Sequence, residues 1–135
     1  MKPIADTGVI VALLAADDPA HRWAANAFRQ HSPFYTCDAV LVEASSFFST
    51  PRPVLTLLAR GDLILEFDLT KELARVLALT TKYADQPMDL ADACVVRMTE
   101  LYEECKVWTV DRSDFRVYRR HGRQTVPCDF PPAGD

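Results

Sequence analysis

Two hydrophobic periods alternate along this chain and divide it into short strands and longer helices. Residues 2–6 form a short apolar run that ends on Asp6. Residues 9–16 are then hydrophobic on every side, as a buried helix would be. Asp17, Asp18 and Pro19 stop that run. Asp18 reads as an N-cap and Pro19 as the first position of an amphipathic helix over residues 19–31. Trp23, Ala27 and Phe28 fall on one side of it, and His21, Arg22, Asn26, Arg29 and Gln30 largely on the other.

Residues 33–36 predict a second strand, 38–49 a third helix, 54–60 a short helix closed by Gly61, and 63–67 a third strand. Thr70 reads as the cap of a helix over 71–84, in which Leu73, Val76, Leu77 and Thr80 recur at helical spacing. A long helix over 89–106, a strand over 107–110, a short helix over 112–120 and an edge strand over 124–126 complete the pattern. From Pro127 the chain is rich in proline and reads as an irregular tail.

Short strands separated by helices imply a parallel sheet covered on both faces, a three-layer α/β/α fold with about four to five strands. The length of 135 residues suits one domain spanning 1–135. No apolar run reaches bilayer length, and Asp6 interrupts any signal-peptide pattern, so a cytoplasmic location away from membranes is expected.

Charge narrows the choice of function. A net charge of −4 and a pI near 5.3 exclude a generic basic protein that coats nucleic acid. They leave room for a nuclease, because a site built of carboxylates is acidic until a cation binds. Cys37, Cys94, Cys105 and Cys128 form no C-x-x-C pair and read as separate reduced thiols. His21, His31 and His121 lack an i, i+4 spacing, which argues against structural zinc.

Most acids here fit ordinary roles. Asp17, Asp18, Asp62, Glu100, Glu103 and Glu104 read as caps, turns or solvated faces. Glu43 does not, because its helical neighbours are Ala39, Val40, Ser46 and Phe47. Asp92 lies between Ala91 and Ala93, with Val95 and Val96 a turn away. Asp89 stands three residues before Asp92 and reads first as a cap. Asp111 follows its strand as Asp6 follows the first, and one of Asp111 and Asp114 reads as the cap of the next helix. Crowded carboxylates in a site of low dielectric repel unless a cation neutralises them. Oxygen ligands without His or Cys point to Mg²⁺ or Mn²⁺, which suits phosphoryl chemistry.

The segments Asp6-Thr7-Gly8, Leu41-Val42-Glu43-Ala44, Met88-Asp89-Leu90-Ala91-Asp92-Ala93 and Thr109-Val110-Asp111-Arg112-Ser113-Asp114-Phe115 resemble the motifs of PIN-domain ribonucleases, in particular VapC toxins of toxin–antitoxin pairs. They run in family order from residue 4 to about residue 120. The resemblance implies a PIN-like three-layer fold and a Mg²⁺- or Mn²⁺-dependent endoribonuclease. It implies an acidic quartet of Asp6, Glu43, Asp92 and Asp111, with Asp114 a further acid, Thr7 a polar neighbour and Asp89 adjacent. It further implies an RNA substrate, a cognate VapB-like antitoxin and a homodimer. Gly8 departs from the Ser often found there. In working roles, Asp6, Asp92 and Asp111 hold metal and Glu43 orients or deprotonates water.

Arg112, Arg116, Arg119, Arg120 and Arg123 would form a basic strip beside Asp111, suited to a phosphate backbone or to an acidic antitoxin segment. Trp23, Phe28, Phe47, Phe48 and Trp108 read as core or interface rather than base-stacking platforms, and residues 47–58 as an antitoxin or dimer groove. The alternatives are a catalytically silent PIN-like module that binds RNA or protein, or a receiver-type Mg²⁺-binding domain. The receiver reading lacks the adjacent acids and late Lys it needs. A haloacid-dehalogenase-type phosphatase is excluded because Gly8 stands where its second Asp belongs.

Overall fold

Ile4 and Ala5 are fully buried in β1 (Lys2–Ala5), the central strand of a five-stranded parallel sheet. The computed structural model describes residues 1–133. The sheet order is β3 (Leu63–Leu65), β2 (Phe34–Thr36), β1, β4 (Cys105–Trp108) and β7 (Cys128–Asp129), and every neighbouring pair is parallel. The chain therefore steps from β1 outward through β2 to β3, then returns to β4 on the other side. In such sheets the connections diverge beyond the C-terminal ends of the two strands at the reversal, here β1 and β4, and leave a crevice there.

Helices α1 (Thr7–Leu14), α2 (His21–His31), α3 (Asp38–Ser45), α4 (Arg52–Ala59), α5 (Leu69–Lys82), α6 (Leu90–Leu101) and α7 (Arg112–Val117) join the strands. The sheet and helices share a core that includes Ile10, Phe34, Val40, Leu79, Met98 and Phe115. The expected three-layer α/β/α fold is the observed one. Among the described residues no helix is long and apolar enough to cross a membrane.

Several boundaries differ from those the sequence predicts, each for a local reason. Asp18 makes a turn rather than a cap: its Oδ1 accepts from Ala20 N at 2.8 Å and its carbonyl from His21 N, so α2 begins at His21 instead of Pro19. Helix α5 is capped by Asp68, which accepts from Lys71 N, rather than by Thr70. Its buried face is Val76, Leu79 and Tyr83, while Leu73 and Leu77 point outward. Helix α6 stops at Leu101, and β4 starts at Cys105.

The Pro-rich tail is not irregular throughout. Pro127 and Asp129 accept hydrogen bonds from Val107 N and Thr109 N, and this lays β7 along β4 as the sheet edge. A proline is tolerated there because its carbonyl can accept although it has no N–H to give. The edge strand expected over 124–126 is instead β6 (Gln124–Thr125), half of a small antiparallel hairpin with β5 (Arg119–Arg120). Residues 134–135 of the tail lie outside the described residues.

Glu100, expected on a solvated face, is also corrected. Its side chain is 1% exposed and bonds Arg75 and Arg97, while Arg97 also pairs with Glu72, which ties α5 to α6. Burial alone would raise its pKa. The Arg75 hydrogen bonds, the His121 N–H and the two cations outweigh that and hold it at about 2.

Candidate active site

Pairing of Ala5 with Trp108 brings the residues just beyond β1 and β4 side by side. Thr109 Oγ1 donates to Asp6 Oδ2 at 2.7 Å and accepts from Asp111 N at 3.1 Å. One buried hydroxyl thus ties the first acid of the chain to one more than a hundred residues later. Asp6 precedes α1 without capping it. Its neighbour Thr7, in the first turn of α1, donates through Oγ1 to Glu43 Oε1 of α3.

Helix α6 supplies the next acids. Asp89 is its N-cap, accepting from Asp92 N at 2.8 Å, in the capping role expected for it. Asp92 lies a turn further in, 8% exposed, and accepts a 2.8 Å hydrogen bond from the hydroxyl of Tyr118 on its Oδ2. Asp111 caps α7 by accepting from Asp114 N at 3.1 Å. Of the Asp111/Asp114 pair, Asp111 is therefore the cap. Capping does not remove it from the acid group.

Carboxylate oxygens of Asp92, Asp111 and Asp114 lie within 4.8 Å of one another. Asp6, Thr7, Glu43 and Asp89 line the same cleft, of about 260 Å³. Asp114 belongs to the tightest acid group, whereas Asp6 stands beside it.

Burial dominates the electrostatics. It pushes the Asp6 pKa up to about 6, against the lowering effect of hydrogen bonds from Thr109 and the Thr7 backbone, with Glu43 and Asp111 adding repulsion. Asp92 is pushed to about 8 by burial, with Tyr118 opposing and the charges of Asp89, Asp6 and Asp111 adding. Asp114 rises to about 6 through burial, then its hydrogen bond and charge interaction with Asp111. Burial also raises Glu43, with Asp89 and Asp111 contributing. The cleft favours a positive charge, and its lining contains neither His nor Cys. A hard divalent cation takes oxygen ligands at about 2.1 Å. Three carboxylates already converging suit it after small side-chain rotations, so the residues fit Mg²⁺ or Mn²⁺.

The basic strip divides. Arg116 is exposed, and it and Arg112 lie over the Phe130 ring at 5.9 and 5.0 Å. Arg119 turns back to donate to the carbonyls of Arg116, Val117 and Tyr118 at the end of α7. Arg120 does not belong to a surface track. It is 7% exposed, and its guanidinium donates to the carbonyls of Thr99, Tyr102 and Glu103 at the end of α6. Thr99 is in the last turn of α6 and Tyr102 and Glu103 follow it, where the helix supplies no N–H for these carbonyls.

A sequence model of the family described as "PIN domain" matches residues 4–121, which includes every acid of the cleft. The chain belongs to the PIN-domain family. Its fold is also similar to that of VapC20 from Mycobacterium tuberculosis, a sarcin-ricin loop cleaving toxin. The TM-score is 0.64, with 16% identity over 78% of this chain and 87% of that one. No curated protein matches the sequence.

Two residues that position the PIN-domain acids escaped the sequence reading. Thr109 carried a signal, since a hydroxyl inside the apolar run Val-Trp-Thr-Val needs a partner when buried. Tyr118 carried none, because its partner Asp92 is 26 residues away on another helix. Gly8 also finds a reason. A Cβ there would meet Val110 Cγ2, with Cγ1 at 2.9 Å, so Val110 fills the space a side chain at position 8 would take.

Proposed function

We propose that this PIN domain is a Mg²⁺- or Mn²⁺-dependent endoribonuclease and the toxin of a type II toxin–antitoxin pair. The observation that carries this reading is the convergence of Asp92, Asp111 and Asp114 within 4.8 Å at the edge where Asp6 and Glu43 also lie. Isolated surface acids would not have pKa values pushed to about 6 and 8. All four expected acids line one cleft, which supports catalysis over a silent binding module.

In this reading Asp6, Asp92 and Asp111, joined by Asp114, hold the cation. When bound, the cation activates water and neutralises charge developing on the phosphate oxygens. Glu43, held by Thr7, orients the attacking water and takes its proton, and a carboxylate with a raised pKa suits that task. Attack on phosphorus breaks the bond to the 3′-oxygen and leaves a 5′-phosphate and a 3′-hydroxyl, without use of the ribose 2′-OH. Thr109 and Tyr118 hold Asp6 and Asp92 in place. Arg112 and Arg116 bind backbone phosphate beside the cleft.

The partner surface follows from exposed apolar side chains. Val42, Phe47 and Leu55, on or beside α3 and α4, are 72%, 64% and 51% exposed, and Phe47 also lines the acid cleft. A VapB-like antitoxin seated there would cover the active site. The toxin is proposed to act in the cytoplasm as a homodimer.

Expression of wild type against Asp6→Asn, with the ends of cleaved RNA mapped, tests the assignment. Toxicity and new 5′-phosphate ends in the wild type alone are expected. Equal toxicity in both, or none in either, would overturn it.

A further inference from the structure

A second depression is larger than the acid cleft. A cavity of about 660 Å³ opens between α2 and the ends of β4 and β7, and both tryptophans of the chain, Trp23 and Trp108, line it. Trp108 is a wall rather than a platform. It is 3% exposed, met by the tilted His31 ring at 4.8 Å and edge-on by Phe34 at 5.2 Å. Trp23 is half-buried, and its Nε1 donates to Asp129 Oδ1 at 2.8 Å, which holds the indole plane at the cavity.

Helix α2 adds polar groups beside that plane. Arg22, Asn26 and Gln30 recur at i, i+4 and i+8 on one stripe, and all three line the cavity. Arg29 donates to Asn26 Oδ1, so the Asn26 amide N–H groups are left to serve a ligand. A planar apolar ring, two side-chain amides and a guanidinium within three turns match what an unpaired base needs: a stacking face, hydrogen bonds to its edge, and a cation for its phosphate.

A third depression shares lining residues with both the cavity and the acid cleft. An apolar trough of about 310 Å³ shares Thr7, Gly8, Phe47 and Val110 with the cleft, and Pro19 with the tryptophan cavity. Val110 lines this trough and fills the space that a Cβ at position 8 would take. A single strand leaving the acids would run along it to Trp23.

We propose that the Trp23 cavity is a nucleotide subsite. An unpaired base of the RNA strand cut at the acids stacks on Trp23, and Arg22, Asn26 and Gln30 contact its edge and phosphate. This rests on the ribonuclease reading and extends it to recognition of flanking sequence. Trp23 packs against the core as expected, and the subsite would add a second role to it.

The tryptophans provide the readout. In an Asp6→Asn, Trp108→Phe protein with Mg²⁺, Trp23 is the sole tryptophan emitter and RNA stays intact. Single-stranded pentaribonucleotides of A, C or U should quench its emission with the midpoint found by anisotropy of the labelled oligonucleotide. The same quenching in Asp6→Asn alone guards against disruption by Trp108→Phe. Trp23→Ala should weaken binding about tenfold, the typical loss of one base–aromatic stack, and Trp23→Phe should restore most of it. Binding without quenching, or a Trp23→Ala affinity equal to wild type, overturns the subsite while leaving cleavage intact. Quenching in a protein whose wild type cuts no RNA keeps the subsite and removes the cleavage reading. No binding by either readout removes the subsite in favour of a cavity that serves a protein partner.

Discussion

Thr109 Oγ1 donates to Asp6 Oδ2 at 2.7 Å, across the two strands whose ends make the acid cleft. The bond lowers the Asp6 pKa against the stronger effect of burial. Thr109→Val removes the donor and also leaves Asp111 N without its partner. Stability should fall by about 1–3 kcal/mol, and kcat at neutral pH by about tenfold. Because Asp6 then needs a higher pH to ionise, the acid limb of the pH–rate profile should move upward. Thr109→Ser should keep both. A profile identical to wild type would remove Thr109 from the site.

Tyr118 offers a cleaner separation of packing from chemistry. Its ring packs edge-on against Tyr83 and Phe115, while its hydroxyl serves Asp92. Tyr118→Phe should keep the fold and weaken Mn²⁺ binding by about tenfold, as loss of a partner that orients a ligand does. Titration calorimetry with Mn²⁺ measures it. An unchanged dissociation constant would show that the hydroxyl only fills hydrogen-bonding capacity.

Removal of one acid should stabilise the cation-free protein. Asp92 is pushed from 3.8 to about 8 in the fold, so its protonated form is favoured there. That contribution is complete below about pH 4 and is lost as pH rises to 8. Asp92→Asn keeps an acceptor for Tyr118 and carries no charge. In chelator at pH 8 it should therefore melt about 4 °C above wild type, roughly 1 kcal/mol, with the gap closing towards pH 4. Mg²⁺ should raise the wild-type Tm at pH 8 and leave the variant nearly unmoved. Parallel melting curves across pH would contradict this.

Arg120 and Arg116 should part company. Arg120→Met removes donors from three carbonyls at the end of α6 and should cost about 2–4 kcal/mol in urea unfolding. RNA affinity of the folded fraction should stay the same. Arg116→Ala should leave stability within about 0.5 kcal/mol and make RNA binding weaker and less dependent on salt. The reverse pattern would return Arg120 to the phosphate track.

By itself, the sequence determined the α/β/α layers and the acids worth considering. Both are local signals: strand and helix periods, and carboxylates such as Glu43 and Asp92 set among apolar neighbours that water cannot solvate. The sequence also showed Asp89 as a cap, because cap and capped N–H are three residues apart. Only the tertiary structure decided which acids converge. Asp6 and Asp111 meet because β1 and β4, remote in sequence, pair in register at Ala5 and Trp108. Long-range partners likewise chose the fate of Arg120 and drew Cys128–Asp129 out of a proline-rich tail into the sheet. Such hydrogen bonds depend on which elements pack together, and neither residue type nor spacing along the chain encodes that directly.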